Sequence, residues 1–330
     1  MIDARLSLAL DGGGLAWPSE GRIAVFQPDM NATLPGLPKE RVQIITGFRP
    51  EYDQWLDRGY TCAVAAEDHY AGALLALPRA KSEARALIAE AARRSRGPLV
   101  IDGQKTDGVD SMLRDVRKRA AVEGPLSKAH GKLFWINEPD GDMFEDWRDG
   151  PALTEGGFWT APGVFSADGI DPASALLADM LPKTLGKRVA DLGAGWGFLS
   201  AHILTRPEVE ELHLVEAGHM ALDCARHNVT DPRARFHWAD ALTWQPEERL
   251  DTVVMNPPFH SARSADPTLG QAFLRTAAQV LHAQGQLWMV ANRHLPYEAT
   301  LQSLFAKTSE VAGDRRFKLF HASRPLRKRG

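Results

Sequence analysis

The segment whose residue types point to the most specific chemistry is Asn256-Pro257-Pro258-Phe259, which directly follows the apolar run 250–255. Proline has a fixed φ and no N–H, so this loop is stiff and offers carbonyl oxygens. The Asn256 side-chain oxygen and the Pro257 carbonyl form an acceptor pair for the two hydrogens of an exocyclic amine. Phe259 offers a flat face on which a base can stack. The segment predicts group transfer to a planar nitrogen, with Asn256, Pro257 and Phe259 as catalytic residues.

Two neighbours in the same loop, Pro258 and His260, are predicted to contact the substrate. His260 could reach a base or a phosphate, and an ordinary loop histidine is an equally good interpretation. A proline-rich turn with an aromatic plug is the purely structural alternative for the whole loop. The predicted transfer needs no strong general base, because the nitrogen loses a proton readily once it is alkylated, and positioning supplies most of the effect.

A second motif, Asp191-Leu-Gly193-Ala-Gly195-Trp-Gly197, lies where a short apolar run turns into a predicted helix. Glycines at these positions let a strand turn sharply while the backbone approaches a ligand closely. Dinucleotide-binding proteins use a related turn, and a tight turn without a ligand is the structural alternative. The acid before the glycines favours another cofactor, because the Asp191 carboxylate would repel a pyrophosphate but suits the ammonium group of a methionine moiety. We therefore expect S-adenosylmethionine, held by Asp191, Gly193 and Gly195.

Two further acids follow the next two predicted strands. Glu216, with Ala217 after it, stands where a carboxylate can accept hydrogen bonds from both hydroxyls of a ribose, although a dehydrogenase would place an acid similarly. Asp240 can accept from an adenine amino group, with the backbone N–H of Ala241 reaching a ring nitrogen. Each acid alone would more often be a solvated strand end. In series after the glycine turn, they are predicted cofactor ligands.

The elements that must position these residues alternate between strands and helices, which indicates a parallel sheet covered on both faces. In the second half, strands are expected at 188–192, 211–215, 235–238, 250–255, 285–290, 310–313 and 317–321. Helices are expected between them at 196–204, 218–228, 269–281 and 297–305.

The first half has a similar rhythm with weaker signals. Strands are expected at 22–26, 42–46, 62–66, 73–77, 98–102 and 132–136, and helices at 81–96 and 111–122. The stretch 137–157 is rich in Asp, Gly and Pro and is the predicted linker. The prediction is two domains, residues 1–150 and 151–330, consistent with the length of 330 residues.

Composition excludes several classes of protein. The net charge of −3 argues against a general nucleic-acid binder, which would usually be basic. Two distant cysteines, Cys62 and Cys224, match no metal-ligand spacing, so neither a metal site nor a disulfide is expected. The start of the chain lacks a signal-peptide pattern, and no apolar segment approaches the roughly 20 residues that cross a bilayer. We expect a cytoplasmic protein without a membrane partner.

The motifs together resemble a known family. Pro162-Gly-Val-Phe165-Ser166, Asp171 with Ser174-Ala-Leu-Leu, the glycine turn and Asn256 to His260 are similar to bacterial ribosomal RNA guanine-N2 methyltransferases of the RsmC/RlmG type. The resemblance is specific over about residues 157–322 and looser around Val100 to Val109. It implies two tandem Rossmann-like methyltransferase domains, each a seven-stranded, mostly parallel sheet with helices on both faces. The first domain is then a degenerate copy that docks RNA or gives structural support.

The resemblance also assigns roles to residues. Asp191, Gly193 and Gly195 would hold the cofactor, Glu216 its ribose and Asp240 its adenine, and Asn256 to Phe259 would hold the guanine. Phe165 and Ser166 would close over the methionine end of S-adenosylmethionine. The implied activity is methyl transfer to the exocyclic N2 amine of a guanine in ribosomal RNA, with 16S rRNA favoured over 23S rRNA. The implied partner is a ribosomal subunit or assembly intermediate, met by a monomeric enzyme.

Two other functions stay open at this point. One keeps the domain and changes the acceptor to adenine N6 or a protein glutamine amide. Glutamine methylation usually goes with Tyr rather than Phe in the aromatic position and with a helical first domain. The other is a non-catalytic RNA-binding assembly factor, against which the intact acids and the complete Asn-Pro-Pro-Phe segment speak.

Overall fold

The computed structural model describes residues 2–12, 14–67, 69–258, 260–261, 264–265 and 267–327. The chain divides into two compact units, Met1–Pro151 and Ala152–Gly330. Each unit contains one seven-stranded sheet. Within the described residues, no helix is long and apolar enough to cross a membrane.

The described residues of the first unit form seven strands and four α-helices, and most of the strands are short, largely buried runs. The strands are β1 Ile23–Phe26, β2 Val42–Ile45, β3 Thr61–Ala63, β4 Gly72–Ala76, β5 Leu99–Gln104, β6 Glu123–Lys128 and β7 Gly131–Ile136. The helices are α1 Ile2–Leu10, α2 Arg49–Asp57, α3 Lys81–Arg94 and α4 Val109–Arg117.

The sheet of the first unit has the strand order β3-β2-β1-β4-β5-β7-β6. Strands β1 to β5 pair in parallel, and β7 and β6 pair antiparallel at one edge. The predicted helix 111–122 is wrong at its end, because α4 stops at Arg117 and the following residues lead into β6. The sequence pattern does not predict strand β6, because this strand is mostly exposed and contains Gly124-Pro125.

Helix α1 was also not predicted. It buries Ile2, Leu6 and Ala9, and its Arg5 is fully buried. The Arg5 guanidinium donates to both oxygens of Asp102 in β5, at 2.5 and 2.7 Å. The two residues of this buried, bidentate ion pair are 97 positions apart in the chain, so a local sequence pattern cannot predict it.

The segment proposed as a linker is partly core. Residues Gly141–Trp147 form a 3₁₀ segment in which Phe144 and Trp147 are buried. Both side chains pack with α3 residues in the core of the first unit. The high content of Asp, Gly and Pro reflected the tight turns of this segment rather than a free connection.

The second unit starts with a hairpin of β8 Ala152–Leu153 and β9 Trp159–Thr160. Its main elements are α5 Pro172–Met180, β10 Arg188–Leu192, α6 Phe198–Ile203, β11 Glu211–Glu216, α7 His219–Asn228, β12 Ala234–Trp238 and β13 Leu250–Met255. After these come β14 His260–Ser261, β15 Ser264–Ala265, α8 Pro267–Val280, β16 Leu281–Asn292, α9 Glu298–Leu304, β17 Phe305–Gly313 and β18 Phe317–Pro325.

The sheet of the second unit has the order β12-β11-β10-β13-β16-β18-β17, which repeats the topology of the first unit. Strands β12, β11, β10, β13 and β16 pair in parallel, and β18 and β17 complete an antiparallel edge. One apolar cluster lies on each face of the sheet. The carboxyl ends of β10, β11 and β13 therefore lie at one edge, which is where an open parallel sheet binds its ligands.

Candidate active site at the carboxyl edge of the second sheet

The turn between β10 and α6 is built from glycines in the left-handed region. Gly193, Gly195 and Gly197 have φ angles of 78°, 55° and 89°. The N–H of Gly193 donates to the Val215 carbonyl at 2.8 Å, which ties the turn to β11. A Cβ added at Gly195 would meet no atom of the described part of the chain within 4 Å, so these residues leave the space above this glycine open. The predicted close approach of a ligand to the backbone is therefore sterically possible here.

Asp191 lies beneath this turn and is fully buried. One carboxylate oxygen, Oδ2, accepts from the Ser200 hydroxyl at 2.7 Å, and the other, Oδ1, is a buried acceptor that has no hydrogen-bond partner among the described residues. Burial, together with the nearby charge of Glu216, raises the pKa of Asp191 to about 7. An unpaired buried acceptor of this kind costs free energy unless a ligand supplies a donor. It fits a cofactor that brings a positively charged amino group.

Glu216 bridges the turn and the next helix. Its Oε2 accepts from the Gly195 N–H at 2.8 Å, and its Oε1 accepts from the Gly218 N–H at 2.7 Å. Burial raises the pKa of Glu216, and the backbone N–H groups oppose that shift. Each carboxylate oxygen has a further lone pair, so the side chain can also accept from ribose hydroxyls. The following residue, Ala217, accepts the Trp238 indole N–H at 2.8 Å through its carbonyl.

Asp240 follows β12 and opens a tight turn. Its Oδ1 accepts from the Leu242 N–H at 2.8 Å, and its carbonyl accepts from the Trp244 N–H at 2.9 Å. The half-buried carboxylate keeps acceptor capacity for an amino group. Ala241 is buried in the core cluster on the opposite face from Asp191.

A pocket at this edge collects residues from four separate segments. Its walls include Phe165, Ser166, Asp171, Ser174, Gly193, Gly195 and Asn256. The predicted methionine-end residues, the glycine turn and the Asn-Pro-Pro segment are thus brought together. Glu216, Ala217, Asp240 and Ala241 are not part of these walls and lie farther along the same edge of the sheet, after β11 and β12.

The segment at the mouth of this pocket is held by backbone contacts. The side chain of Phe165 is exposed, and its carbonyl accepts the Trp196 indole N–H at 3.0 Å. Ser166 has a φ of 54° and donates its hydroxyl to the Gly169 carbonyl at 2.7 Å. An exposed aromatic ring on an anchored backbone is suited to cover a bound ligand. Trp196 was not among the predicted site residues.

Asn256, at the end of β13, is oriented by two side chains from the start of α5. Its Nδ2 donates to Asp171 Oδ2 at 3.0 Å and to Ser174 Oγ at 2.9 Å. Pro257 is buried and Pro258 is exposed. Phe259 lies outside the described residues. The backbone of His260 is described, in β14, which pairs with β15, but its side chain is not.

Asp171 and Ser174 belong to the family pattern in the sequence, but that pattern alone assigns them no role. The available local signal was Asp171-Pro172, an acid and a proline in the order typical of a helix start. Asp171 indeed accepts from the Ser174 N–H at 2.8 Å. Among the described side chains, no group of three or more His, Cys, Asp or Glu could hold a metal ion.

Known proteins share this architecture. The family model described as "Methyltransferase small domain" matches residues 155–321. A ribosomal RNA small subunit methyltransferase C from a Shewanella species is 31% identical over 77% of this chain and 77% of that protein. A ribosomal RNA large subunit methyltransferase G from Pseudomonas paraeruginosa is 37% identical over 49% of this chain and 44% of that protein.

A solved structure extends the likeness to both units. A 16S rRNA N2 methyltransferase (RsmC) from T. thermophilus, in complex with AdoMet and guanosine, has a TM-score of 0.77 and 26% identity. The match covers 94% of this chain and 90% of that chain. The fold class predicted from the sequence is confirmed by the two seven-stranded sheets and by this match. The chain belongs to the methyltransferase small domain family, as its motifs predicted.

Proposed function

We propose that the protein transfers a methyl group from S-adenosylmethionine to the exocyclic N2 amine of a guanine in ribosomal RNA, with 16S rRNA as the favoured substrate. The observation that carries the proposal is the Asn256 amide, which adjoins the glycine turn in one pocket and leaves its oxygen to accept from an amine. The relatives named for the same reaction class support the choice of RNA, and the match to an N2 enzyme of 16S rRNA supports the choice of guanine.

Different residues around the turn would bind the methionine, ribose and adenine parts of the cofactor. Asp191, Gly193 and Gly195 would bind the methionine end, and Phe165 and Ser166 would cover it. Farther along the edge of the sheet, Glu216 and Ala217 would take the ribose, and Asp240 and Ala241 the adenine. When bound, S-adenosylmethionine supplies an electrophilic methyl carbon.

The chain then needs to place one nitrogen opposite that carbon. Asn256 Oδ1 and the Pro257 carbonyl would accept the two amine hydrogens, so the nitrogen lone pair points at the methyl group. Held in this way, the nitrogen would form the new C–N bond as the C–S bond breaks and would release its extra proton to water. Alignment of this kind can supply much of the rate enhancement without a general base. Pro258, Phe259 and His260 would contact the guanine.

Access to the guanine sets a condition on the substrate. A base inside a duplex is out of reach of such a pocket, so the target must be unpaired or flipped out. A structured particle can present such a base by shape, which fits a weakly charged enzyme with a net charge of −3. The proposed partner is a ribosomal subunit or assembly intermediate in the cytoplasm, and the proposed acting form is a monomer.

The first unit is proposed to dock RNA, while residues 152–330 carry the catalysis. The strand ends that correspond to the active site lack its motifs, since Gln27-Pro28 follows β1 and Leu77-Pro78 follows β4. The support for docking is a groove in which Arg85, Lys118 and Arg119 surround Trp147, together with the Asp115 carboxylate, which pairs with Arg85 at 2.9 Å and with Lys118 at 3.6 Å. The Arg85 and Arg119 guanidinium carbons lie 5.2 and 4.7 Å from the Trp147 ring. Organised guanidinium groups bind phosphates well.

The test is nucleoside mass spectrometry of ribosomal RNA from a strain that lacks the gene. We expect the loss of one N2-methylguanosine from 16S rRNA, restored by the wild-type gene and by the surface variant Asn137→Ala. Asn256→Ala should not restore it, because the loss of one preorganised hydrogen-bonding group, measured for oxyanion-hole donors, costs about 10²- to 10³-fold in rate. Loss of a methyladenosine, or an unchanged nucleoside profile, would overturn the proposed function.

A further inference from the structure

The nitrogen side of the Asn256 amide is fully occupied. Its two hydrogens have two acceptors, Asp171 Oδ2 at 3.0 Å and Ser174 Oγ at 2.9 Å. Asp171 Oδ2 also accepts from the Ser174 N–H at 2.8 Å, which closes a ring of hydrogen bonds at the start of α5. Ser174 is buried, and Asp171 caps the helix, so neither partner is a loose surface group.

The chemistry of these partners decides which way the amide points. An ionised carboxylate only accepts hydrogen bonds, so the atom of Asn256 that faces Asp171 must be the nitrogen. Without such a partner, the two orientations of an asparagine amide are nearly equivalent in shape. The ring of hydrogen bonds therefore leaves Oδ1 as the atom that Asn256 can offer to a ligand.

We propose that Asp171 and Ser174 are positioning residues that lock Asn256 as a pure acceptor and thereby select an amino group as the methyl acceptor. This inference rests on the proposed function. A flipped amide would present its own N–H groups and would repel the hydrogens of an exocyclic amine. The lock thus discriminates an amine from a carbonyl oxygen or an unprotonated ring nitrogen, neither of which can donate to Oδ1.

Asp171→Asn separates this role from the capping of α5. Asparagine is as good an N-cap as aspartate, so the helix start and the fold should be retained. Its side-chain amide can also donate, so Asn256 is no longer forced into one orientation. Asp140→Asn is a matched control, because Asp140 caps the 3₁₀ segment of the first unit by accepting from the Asp142 N–H.

The kinetic experiment compares kcat, KM for ribosomal RNA and calorimetric Kd for S-adenosylmethionine. Misplacing a preorganised group lowers the chemical step, so we expect kcat of Asp171→Asn to fall about tenfold or more. Ser174→Ala should fall less, and Asp140→Asn should not change. In Asp171→Asn, Kd for the cofactor and the thermal midpoint should stay near the wild-type values. A wild-type kcat, or a loss of cofactor affinity as large as the loss of rate, would overturn the positioning role.

A spectroscopic experiment tests the lock without any activity. Selective ¹⁵N-asparagine labelling gives five side-chain amide signals, one for each asparagine of the chain. The Asn256 amide protons should exchange with water more slowly than those of exposed Asn137, and Asp171→Asn should remove that protection. Fast exchange at Asn256 in the wild-type protein would refute the lock whatever the substrate. A protected amide in a protein that does not methylate ribosomal RNA would refute the proposed function and leave the lock standing.

Discussion

Asp191 and Glu216 place two carboxylates beside the glycine turn, and the two carboxylates differ in the hydrogen-bond donors that surround them. Both have a raised pKa because burial disfavours the charged form, and Glu216 adds its negative charge to the shift of Asp191. Glu216 is compensated by the N–H groups of Gly195 and Gly218 on both of its oxygens, whereas on Asp191 the Ser200 hydroxyl donates to Oδ2 and leaves Oδ1 without a donor among the described residues. The uncompensated acid is therefore the one expected to respond to a cationic ligand.

We expect the affinity for S-adenosylmethionine to depend on pH through Asp191. With a pKa of about 7 in the free protein, the side chain is half ionised at pH 7 and largely protonated at pH 6. A cationic amino group favours the ionised form, so Kd should rise about fivefold from pH 7 to pH 6. Calorimetric titration at both pH values measures the change, and Asp191→Asn should bind weakly with a flat profile. If Asp191→Asn shows the same pH dependence of Kd, another group must be responsible for it.

The raised pKa of Asp191 also determines how this group makes the free energy of unfolding depend on pH. Between the ordinary value of 3.8 and about 7, the folded protein keeps a proton on Asp191 that the unfolded chain has lost. The contribution of this group to the free energy of unfolding is therefore largest at low pH and declines as the pH rises through that window.

At the scale of the element, the turn between β10 and α6 uses its glycines for two different purposes. Gly195 lines the pocket, and a Cβ there would enter open space. A Cβ at Gly197 would lie 3.0 Å from Val229 Cγ2 and 3.3 Å from Ala225 Cβ, because α6 packs closely on α7 at this point. Both glycines have positive φ, which costs an alanine roughly 1–2 kcal/mol.

Alanine substitutions should separate ligand approach from packing. For Gly197→Ala we expect a loss of about 2–3 kcal/mol in the free energy of unfolding, since overpacking adds to the φ strain. Gly195→Ala should lose only about 1–2 kcal/mol but weaken binding of S-adenosylmethionine more than tenfold, because the methyl group occupies the ligand's space. Chemical denaturation and calorimetry measure the two effects. Equal cofactor affinity in Gly195→Ala and the wild type would contradict this account of the turn.

At the scale of the whole molecule, two sheets with the same strand order occur in one chain. The corresponding strand ends carry the motifs only in the second unit, so the first unit is free to serve another purpose. Its groove presents Lys118, whose side chain is 76% exposed and whose Nζ lies 3.6 Å from Asp115 Oδ1, and Arg119, which pairs with Asp146 at 2.6 Å. A cation with this exposure can move from a carboxylate to a phosphate at low cost.

Lys118→Glu should weaken binding of ribosomal RNA without changing the Kd for S-adenosylmethionine. If Lys118 contacts a phosphate, the slope of log K against log salt should fall by about one. Lys105→Glu is the matched control, because Lys105 is an exposed lysine in the 3₁₀ segment Lys105–Asp107, which precedes α4. RNA affinity measured at several salt concentrations decides the matter. An equal loss in both variants, or no loss in Lys118→Glu, would exclude the groove as the docking surface.

The amino-acid sequence determined the fold class and the family because these depend on local patterns. Strands β10 and β13 have the predicted bounds, since each is a short, largely apolar run that ends at a glycine or proline segment. The enzyme class and the cofactor were predicted from the glycine turn after β10 and the Asn-Pro-Pro-Phe segment after β13. The family match confirms both predictions. The predicted site residues themselves stay a proposal.

Contacts between side chains that lie far apart in the chain could be identified from the tertiary structure alone. Asp171 and Asn256 are 85 residues apart, and they meet because the start of α5 lies against the carboxyl end of β13. Arg5 and Asp102, and the burial of Phe144 and Trp147 in the supposed linker, are decided in the same way. Hydrogen bonds and packing between distant segments depend on how the elements assemble, and no periodicity or spacing within a short window carries that information.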